Sequence, residues 1–568
     1  MKKIAGIVLC LVAVAGAGWF FWLRERSTAG QYARYLPPEV VGTVNLTHLA
    51  TVSDSFAASV LAKSLTKETV HTIIRDLGGQ DQDLAEYDQV YDSVTEVVGD
   101  PAFRTVFGDD VTLAVLPPDK TGMTQDPAAT LRQSLVVVAR TAAAGALDML
   151  SRFIKNAKVS RETIDGLELA KITMASNQVI YGYTEGKWLF LAYAPAAIKT
   201  CIAAGKGDHG LDKAPLYQQA AAFWQPYPEQ EVYSRVYLNV EHFAGLLQQA
   251  ANPEIKESGA LLKGVTSMFS VSYGTGEELE NKGRSTFHYD QLHPLMQSTV
   301  DAAGANQSLH LLKDRTLAYN WASSLRPDML VKTLAADQQA SREMDTEVRR
   351  ILGVSLEELG RAFGPQYGAV LDDIVRTPLF PWPNMVLFIE LRDRKIAETV
   401  VHGIRRLIAG NGMVAEQQEQ VEGRTIYSWP VMPGVAAQPA MVLTDSMLYL
   451  ATSKEALQEL LTSKAAVNAL AAPVRNAVGA AVADRLASAN LSSFVVFPQR
   501  MATPTGTALD WLGGILATTK NISIGRLNSE LVQLLQSTHL VAAATHLTKD
   551  QADWTMTVKK AAGQPAGK

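Results

Sequence analysis

Two short motifs of the sequence could serve nucleophilic hydrolysis. Ser64-Leu65-Thr66-Lys67 has the S-x-x-K form of penicillin-recognising enzymes, in which the serine is the nucleophile, and Lys120-Thr121-Gly122 has the form of their K-T-G segment. In those enzymes a large helical domain lies between the two motifs, whereas only about fifty residues lie between them here. The nearest candidate for the third motif, at Ser176, comes after Lys120. We therefore predict that the chain is not an enzyme, and we assign no catalytic residue.

An acidic segment has part of the pattern of a calcium-binding loop. Asp81, Asp83 and Asp92 stand at positions 1, 3 and 12, where carboxylates bind Ca²⁺ in an EF-hand. Position 6, which needs glycine for a sharp turn, is Glu86. We therefore interpret Asp76–Asp92 as a solvated acidic loop inserted in the first half of the chain.

The histidines and the glycine-rich segment do not have the spacing of a metal or phosphate site. His539 and His546 are seven residues apart on a predicted strand, which places them on opposite faces, and His288 and His293 lie on either side of a predicted domain edge. Gly205–Gly210 follows a helical pattern, whereas phosphates bind at the start of a helix. We expect no metal, nucleotide or other cofactor.

Cysteine content and net charge exclude further classes of protein. Cys10 lies in the apolar N-terminal segment, so Cys201 is the one thiol of the remaining chain and can form neither an internal disulfide nor a thiolate zinc site. We interpret Cys201 as a small buried hydrophobic residue. The net charge of −5 gives no basic footprint for nucleic acid.

Two segments place aromatic residues between prolines. These segments are Trp224–Pro228 and Phe380–Pro383. Stiff aromatic segments can form a docking surface at low entropic cost. The alternative, which we favour for both, is a loop that folds over a sheet and buries its rings.

The N-terminus has the features of a membrane anchor. Ile4 to Leu23 are twenty residues without a charge, which as a helix would span about 30 Å, the thickness of the hydrocarbon core. A cleaved signal peptide is the alternative, although cleavage would leave Trp19–Leu23 as an exposed apolar terminus. The short tail before the apolar run favours export of the bulk, whereas the mirror orientation would keep it in the cytoplasm. We predict a single-pass protein of the inner membrane with its bulk in the periplasm.

The chain resembles itself in two halves. Leu36–Leu46 has a counterpart in Leu312–Trp321, and Phe107–Val111 has one in Phe363–Tyr367. Further pairs, in the same order, are Ser134–Arg140 with Met385–Leu391, Ile164–Leu169 with Val421–Ile426, Lys187–Tyr193 with Ser446–Ala451, Val232–Leu247 with Leu491–Leu509, and Met268–Tyr289 with Leu540–Val558. Agreement in order and spacing over this length predicts an internal duplication.

The periodicity of each half predicts an α+β fold. Ile396, Val400 and Ile404 form a helical stripe, and the larger residues of Val111–Val115 alternate as in a strand. We predict an N-terminal transmembrane helix followed by two tandem copies of an antiparallel-sheet-plus-helices unit, with the helices on one face. The predicted regions are an anchor at 1–30, a first repeat at 31–290, a linker at 291–307, a second repeat at 308–560 and a disordered tail at 561–568.

This layout resembles uncharacterised extracytoplasmic proteins of Gram-negative bacteria, in particular the YfaA-like family. The resemblance rests on the total length, the single anchor, and repeated segments such as Leu36–Glu39 and Phe107–Asp110. It implies association with envelope machinery that includes an α2-macroglobulin-like protease inhibitor. It implies no functional residues.

These observations favour a non-catalytic, membrane-anchored interaction or scaffold protein of the periplasm. The anchor and a duplicated scaffold without convergent reactive groups are the reasons. The alternative is a carrier of an apolar or lipid ligand in a cleft between the two copies.

Overall fold

The computed structural model describes residues 30–48, 59–100, 105–107, 110–141, 146–147, 149, 158–174, 178–228, 232–249, 252–274, 276–334, 338–377, 379–410, 414–431, 437–463, 466 and 468–562. The predicted membrane segment, Ile4 to Leu23, lies outside these residues, and so does most of the predicted C-terminal tail.

The predicted fold class is wrong in its first element. It began with a transmembrane helix, but the described residues form an antiparallel sheet with helices, none of which has the length and apolar character needed to cross a bilayer. The 23-residue helix Pro498–Lys520 shows the reason, because it carries the charged residues Arg500, Asp510 and Lys520. Charged side chains are costly in a hydrocarbon core.

The chain divides into two compact units. Unit 1 ends at His293, and unit 2 runs from Pro294 to Ala562. The segment predicted as a linker, 291–307, contains the helix Pro294–Asp301.

Unit 1 is built on ten described strands. They are β1 Gly42–Thr47, β2 Asp110–Val115, β3 Leu135–Arg140, β4 Lys158–Ile164, β5 Leu167–Thr173, β6 Val179–Glu185, β7 Trp188–Ala192, β8 Val232–Asn239, β9 Val265–Gly274 and β10 Glu278–Phe287. Across the sheet the order is β4-β5-β6-β7-β3-β2-β1-β8-β9-β10, and each neighbouring pair is antiparallel. The described helices are α1 Val60–Ser64, α2 Lys67–Asp76, α3 Asp81–Gly99, α4 Lys120–Gln125, α5 Pro127–Gln133, α6 Pro195–Lys206, α7 Pro215–Trp224, α8 Val240–Gln248 and α9 Pro253–Leu261, with 3₁₀ turns at Gln31–Tyr35, Leu211–Lys213 and Tyr289–Gln291.

Unit 2 has the same number of described strands in the same order. They are β11 Ala318–Ser323, β12 Phe363–Arg376, β13 Pro381–Leu391, β14 Gln417–Val421, β15 Arg424–Ser428, β16 Ala440–Leu443, β17 Met447–Ala451, β18 Ser492–Val496, β19 Thr538–Leu547 and β20 Gln551–Lys560. Across the sheet the antiparallel order is β14-β15-β16-β17-β13-β12-β11-β18-β19-β20, which repeats unit 1 strand for strand. The described helices are α10 Pro294–Asp301, α11 Pro327–Leu334, α12 Gln338–Leu352, α13 Leu356–Ala362, α14 Arg394–Gly410, α15 Lys454–Thr462, α16 Ala472–Val478, α17 Ala480–Ser488, α18 Pro498–Lys520 and α19 Gly525–Gln536, with a 3₁₀ turn at Leu309–Leu311.

Matching local geometry accompanies the matching order. The backbone N–H of Val41 donates to the oxygen of Val115 (2.9 Å) in unit 1, and the N–H of Leu317 donates to the oxygen of Leu371 (2.8 Å) in unit 2. In each unit this bond holds the residue that precedes the first strand, β1 or β11, against the neighbouring strand, β2 or β12. The β1–β2 and β11–β12 registers therefore start at corresponding points.

The outer hairpins of the two units also share one turn type. Asp165 and Gly166 join β4 to β5 with φ values of 49° and 83°, and Glu422 and Gly423 join β14 to β15 with 48° and 72°. Two consecutive positive φ angles match the right-handed twist of the strands, and glycine adopts the second at little cost.

Helices cover both faces of the sheet in unit 2, so the prediction of helices on one face is wrong. Tyr449 of β17 lies in the cluster that contains Leu457 of α15, whereas its neighbour Leu448 lies in the cluster that contains Val401 of α14. Successive strand residues point to opposite faces. The two helices therefore cover opposite faces of β17.

Candidate interaction surface

The two motifs that resemble hydrolase segments do not form a hydrolase arrangement. Ser64 is the buried last residue of α1, and Lys67 is the first residue of α2. The Nζ atom of Lys67 lies 2.7 Å from the Oδ2 atom of Asp92, so its charge is neutralised by an exposed carboxylate. Lys120-Thr121-Gly122 begins the short helix α4 and not a strand.

The acidic segment is a helix, so the prediction of a solvated loop is wrong. Asp81–Gly99 forms α3, and its Leu84 packs in a small core with Val70 and Ile74 of α2. Tyr87, three residues after Leu84, joins the same core, which is the spacing of one helix face. Among the residues that the structure describes, no three histidine, cysteine, aspartate or glutamate side chains group to hold a metal ion.

The histidines and the glycine-rich segment have local structural contacts. The Nδ1 atom of His539 lies 3.4 Å from the Oε1 atom of Gln499, and that of His546 lies 3.0 Å from the main-chain oxygen of Ser488. A Cβ atom at Gly205 would lie 2.3 Å from the ring of Tyr35. This glycine therefore allows α6 to pack closely against the 3₁₀ turn Gln31–Tyr35.

The first of the two aromatic segments belongs to the core of unit 1. Trp224 is buried, and its Nε1 atom donates to the main-chain oxygen of Ser270 at 3.0 Å. The ring of Tyr227 lies 4.4 Å from that of Tyr273 between centroids. This segment thus presents its rings to its own sheet.

The second segment lies on a hairpin that extends past its neighbours. In the described pairing, β11 accompanies β12 only as far as Leu371, and β17 accompanies β13 only from Val386 onward. Beyond these points β12 and β13 continue together to the pair Arg376–Pro381. In unit 1 the same connection, between β2 and β3, is made by the short helices α4 and α5.

A long helix of unit 2 reaches this hairpin. Helix α18 has 23 residues, whereas α8, which follows the corresponding strand of unit 1, has 9. The difference amounts to about 20 Å of helix. Small residues let α19 pack closely against α18, because a Cβ atom at Gly506 would lie 3.0 Å from Val532 and one at Gly513 would lie 3.0 Å from Ile524.

Trp511 of α18 fastens the helix to the hairpin. Its Nε1 atom donates to the main-chain oxygen of Leu379 at 2.7 Å, and its ring centroid lies 6.3 Å from that of Phe380. Phe380 lies 5.5 Å from Trp382, whose own Nε1 atom donates to the oxygen of Thr452 at 3.0 Å. Both indole N–H groups are therefore satisfied within the unit.

Large apolar side chains remain exposed around this junction. The exposed fraction is 63% for Leu379, 42% for Trp511, 39% for Leu512 and 38% for Ile515. We define the aromatic tip as these residues together with Phe380 and Trp382. Since both of its indole N–H groups are already paired, the aromatic tip offers a partner apolar area.

The backbone of the hairpin does not favour an added strand. Pro381 and Pro383 have no N–H group, so these positions of β13 cannot donate to a neighbouring strand. A partner would therefore contact side chains and would not extend the sheet.

The sequence singled out Phe380–Pro383 but not Trp511. Trp511, Leu512 and Ile515 share one turn of a helix, and their exposure could be recognised only once the helix was seen to extend past the sheet. The long-range contact between Trp511 and Leu379, 132 residues apart, has no sequence signal.

One family model matches part of the chain. The family model described as protein of unknown function (DUF3352) matches residues 107–282, which lie within unit 1. This agrees with the coarser part of the predicted resemblance, and nothing in the comparisons points to the YfaA-like family in particular. No curated protein matches the chain significantly.

Solved structures give a weak likeness. Crystal form I of TP0453 is 8% identical, with a TM-score of 0.24, and the match covers 48% of this chain and 85% of that chain. Crystal form IV is 8% identical, with a TM-score of 0.23, and the match covers 45% of this chain and 79% of that chain. Likeness at this level carries no argument about function.

Proposed function

We propose that the chain is a non-catalytic interaction or scaffold protein of the cell envelope, with its bulk in the periplasm, and that a partner protein docks on the aromatic tip. The observation that supports this proposal is the exposed Trp511, held in place by its bond to Leu379. A contiguous exposed apolar patch on a folded protein is typical of an interaction site.

The energetics of the aromatic tip suit protein binding. A buried interface tryptophan commonly contributes about 2 kcal/mol or more. Because the hairpin and α18 already hold the rings, a partner would pay little to order them. The turn is itself fixed, since the Oγ1 atom of Thr377 donates to the oxygen of Phe380 at 2.6 Å and accepts from its N–H at 3.1 Å.

Site-specific photo-crosslinking in intact cells tests the docking surface. A photoreactive residue at Leu512 or Ile515 should yield one and the same crosslinked partner, and Trp511→Ala should abolish it. Ile255 of α9, 42% exposed, is the matched control, where the same partner should be absent. Equal crosslinking at Ile255, or none at native abundance from Leu512 and Ile515, would contradict the proposal. The α2-macroglobulin-like protease inhibitor implied by the resemblance is the first partner to look for.

A separate experiment tests the location. A reporter that is active only in the cytoplasm, fused after Lys568, should be silent in living cells. An active reporter would place the two units in the cytoplasm and remove the periplasmic part of the proposal.

A further inference from the structure

Unit 2 also contains a cavity with a charged lining, which shares no residue with the aromatic tip. This cavity, of about 630 Å³, opens among α10, the start of α11 and the adjoining ends of β12 and β13. Its charged lining residues are Asp301, Arg326, Asp328, Glu390 and Arg392. This volume is in the range of small-molecule sites.

Arg326 is the unusual member of this lining. Arg326 is only 6% exposed. It donates to two main-chain oxygens, that of Leu325 at 3.0 Å and that of Ser298. Its Nε atom has no hydrogen-bond partner among the described residues. A buried guanidinium whose Nε–H is unpaired, and which forms no salt bridge with a described residue, can interact favourably with the negative end of a ligand.

The surroundings of Arg326 contain both signs of charge. Burial lowers the pKa of Arg326, and the positive charge of Arg392 adds to that shift. The carboxylates of Asp328, Asp301 and Glu390 oppose it. Neither arginine forms a salt bridge with a described residue. The Oε2 atom of Glu390 accepts from the backbone N–H of Gln366 at 3.1 Å, which fixes this carboxylate at the wall.

We propose that this cavity binds a small zwitterion that carries a carboxylate and an ammonium group, of the α-amino acid class. The ligand carboxylate would pair with Arg392, whose exposed guanidinium can offer two parallel hydrogen bonds, and would lie beside the positive charge of Arg326. The ammonium group would face Asp328, Glu390 and Asp301. A simple anion would be repelled by the three carboxylates, and a simple cation by the two arginines.

Ligand-observed nuclear magnetic resonance on the full-length chain tests this site. The probe is an equimolar mixture of the twenty L-amino acids, followed by the binding amino acid alone. We expect at least one amino acid to bind. Its analogues without the carboxyl group or without the amino group should bind at least about tenfold more weakly.

Variants locate the binding and keep the test independent of folding. Arg392→Gln, at an exposed side chain, should weaken binding about tenfold or more without unfolding the unit. Arg376→Gln, an exposed arginine outside the cavity, is the matched control and should bind normally. The inference is wrong if no amino acid binds, if Arg392→Gln binds as the parent does, or if either analogue binds equally well. None of these outcomes bears on the aromatic tip.

Discussion

The centres of the two sheets have the same geometry but different chemistry. In unit 1, Asn45 of β1 lies between Thr112 of β2 and Arg235 of β8. At the corresponding point of unit 2, Trp321 of β11 lies between Gly368 of β12 and Ser493 of β18. In unit 1 the smaller central residue, Asn45, thus has one large neighbour, Arg235. In unit 2 the large central residue, Trp321, has two small neighbours.

The comparison shows that the two units fill this position with different residue types, each set including one large side chain. A Cβ atom at Gly368 would lie 2.1 Å from the oxygen of Asn320, so no larger residue fits beside Trp321 without a shift. In unit 1, Asn45 donates from its Nδ2 atom to Asp110 and, at 2.9 Å, to the Oγ1 atom of Thr112. Close packing can therefore be satisfied by a polar centre or by an aromatic one.

Replacing Trp321 should have the largest effect on folding. Trp321 is fully buried, and its Nε1 atom donates to Gln366 at 3.1 Å. We expect Trp321→Ala to lower the free energy of unfolding by about 3–5 kcal/mol, since it leaves a cavity. Urea denaturation measures the loss, and hydrogen exchange should show faster exchange in β11 with β1 unchanged. A loss confined to β1 would break the comparison.

Replacing Asn45 should have a smaller effect, and in unit 1. Asn45→Leu leaves Asp110 and Thr112 without the donor that Asn45 supplies, which should cost about 1–3 kcal/mol. Hydrogen exchange should accelerate in β1 and β2, with β11 as the internal control. Unchanged stability would mean that the polar centre of unit 1 contributes nothing beyond its volume.

Alkaline pH should destabilise both units alike. Burial raises the pKa of Cys201 and Tyr237 in unit 1 to about 12, and it raises those of Tyr319 and Tyr449 in unit 2 to about 12. A raised pKa in the folded state means that stability is complete below the ordinary value, 9.0 for the thiol and 10.0 for the phenols, and falls as the pH rises toward 12.

Urea denaturation at increasing pH, with hydrogen exchange for each unit, measures this loss. Tyr237→Phe should flatten the decline in unit 1 and Tyr449→Phe the decline in unit 2, because each removes one titrating group. A decline that is the same in parent and variants would show that these phenols do not cause it.

Part of the fold could be predicted from local sequence. The self-comparison paired Leu36–Leu46 with Leu312–Trp321, and the structure has β1 and β11 in these two segments. The turns at Gly166 and Gly423 follow from residue type, because positive φ favours glycine. Sequence order and spacing carry this information directly.

Other features depend on contacts between distant segments. The helices on both faces of unit 2 were missed, although the continuous apolar run Met447–Ala451 is typical of a strand buried on both sides. The acidic residues of α3 suggested a loop, because the apolar contact of Leu84 with α2 could not be seen. The aromatic tip combines two segments, and the cavity around Arg326 combines four. Neither combination has a local pattern.

Trp511 and Trp321 of unit 2 give the sharpest contrast. They have the same number of indole hydrogen bonds but differ in exposure. Each indole donates one hydrogen bond, but Trp511 is 42% exposed and Trp321 is fully buried. Trp511→Ala removes one hydrogen bond and the packing of a partly exposed ring, so it should lower the free energy of unfolding by less than Trp321→Ala does, while it abolishes crosslinking at Ile515. Urea denaturation and crosslinking of the same variant separate folding from binding. If Trp511→Ala were as destabilising as Trp321→Ala, the extended hairpin and α18 would be folding elements, and the aromatic tip would lose its support as a docking surface.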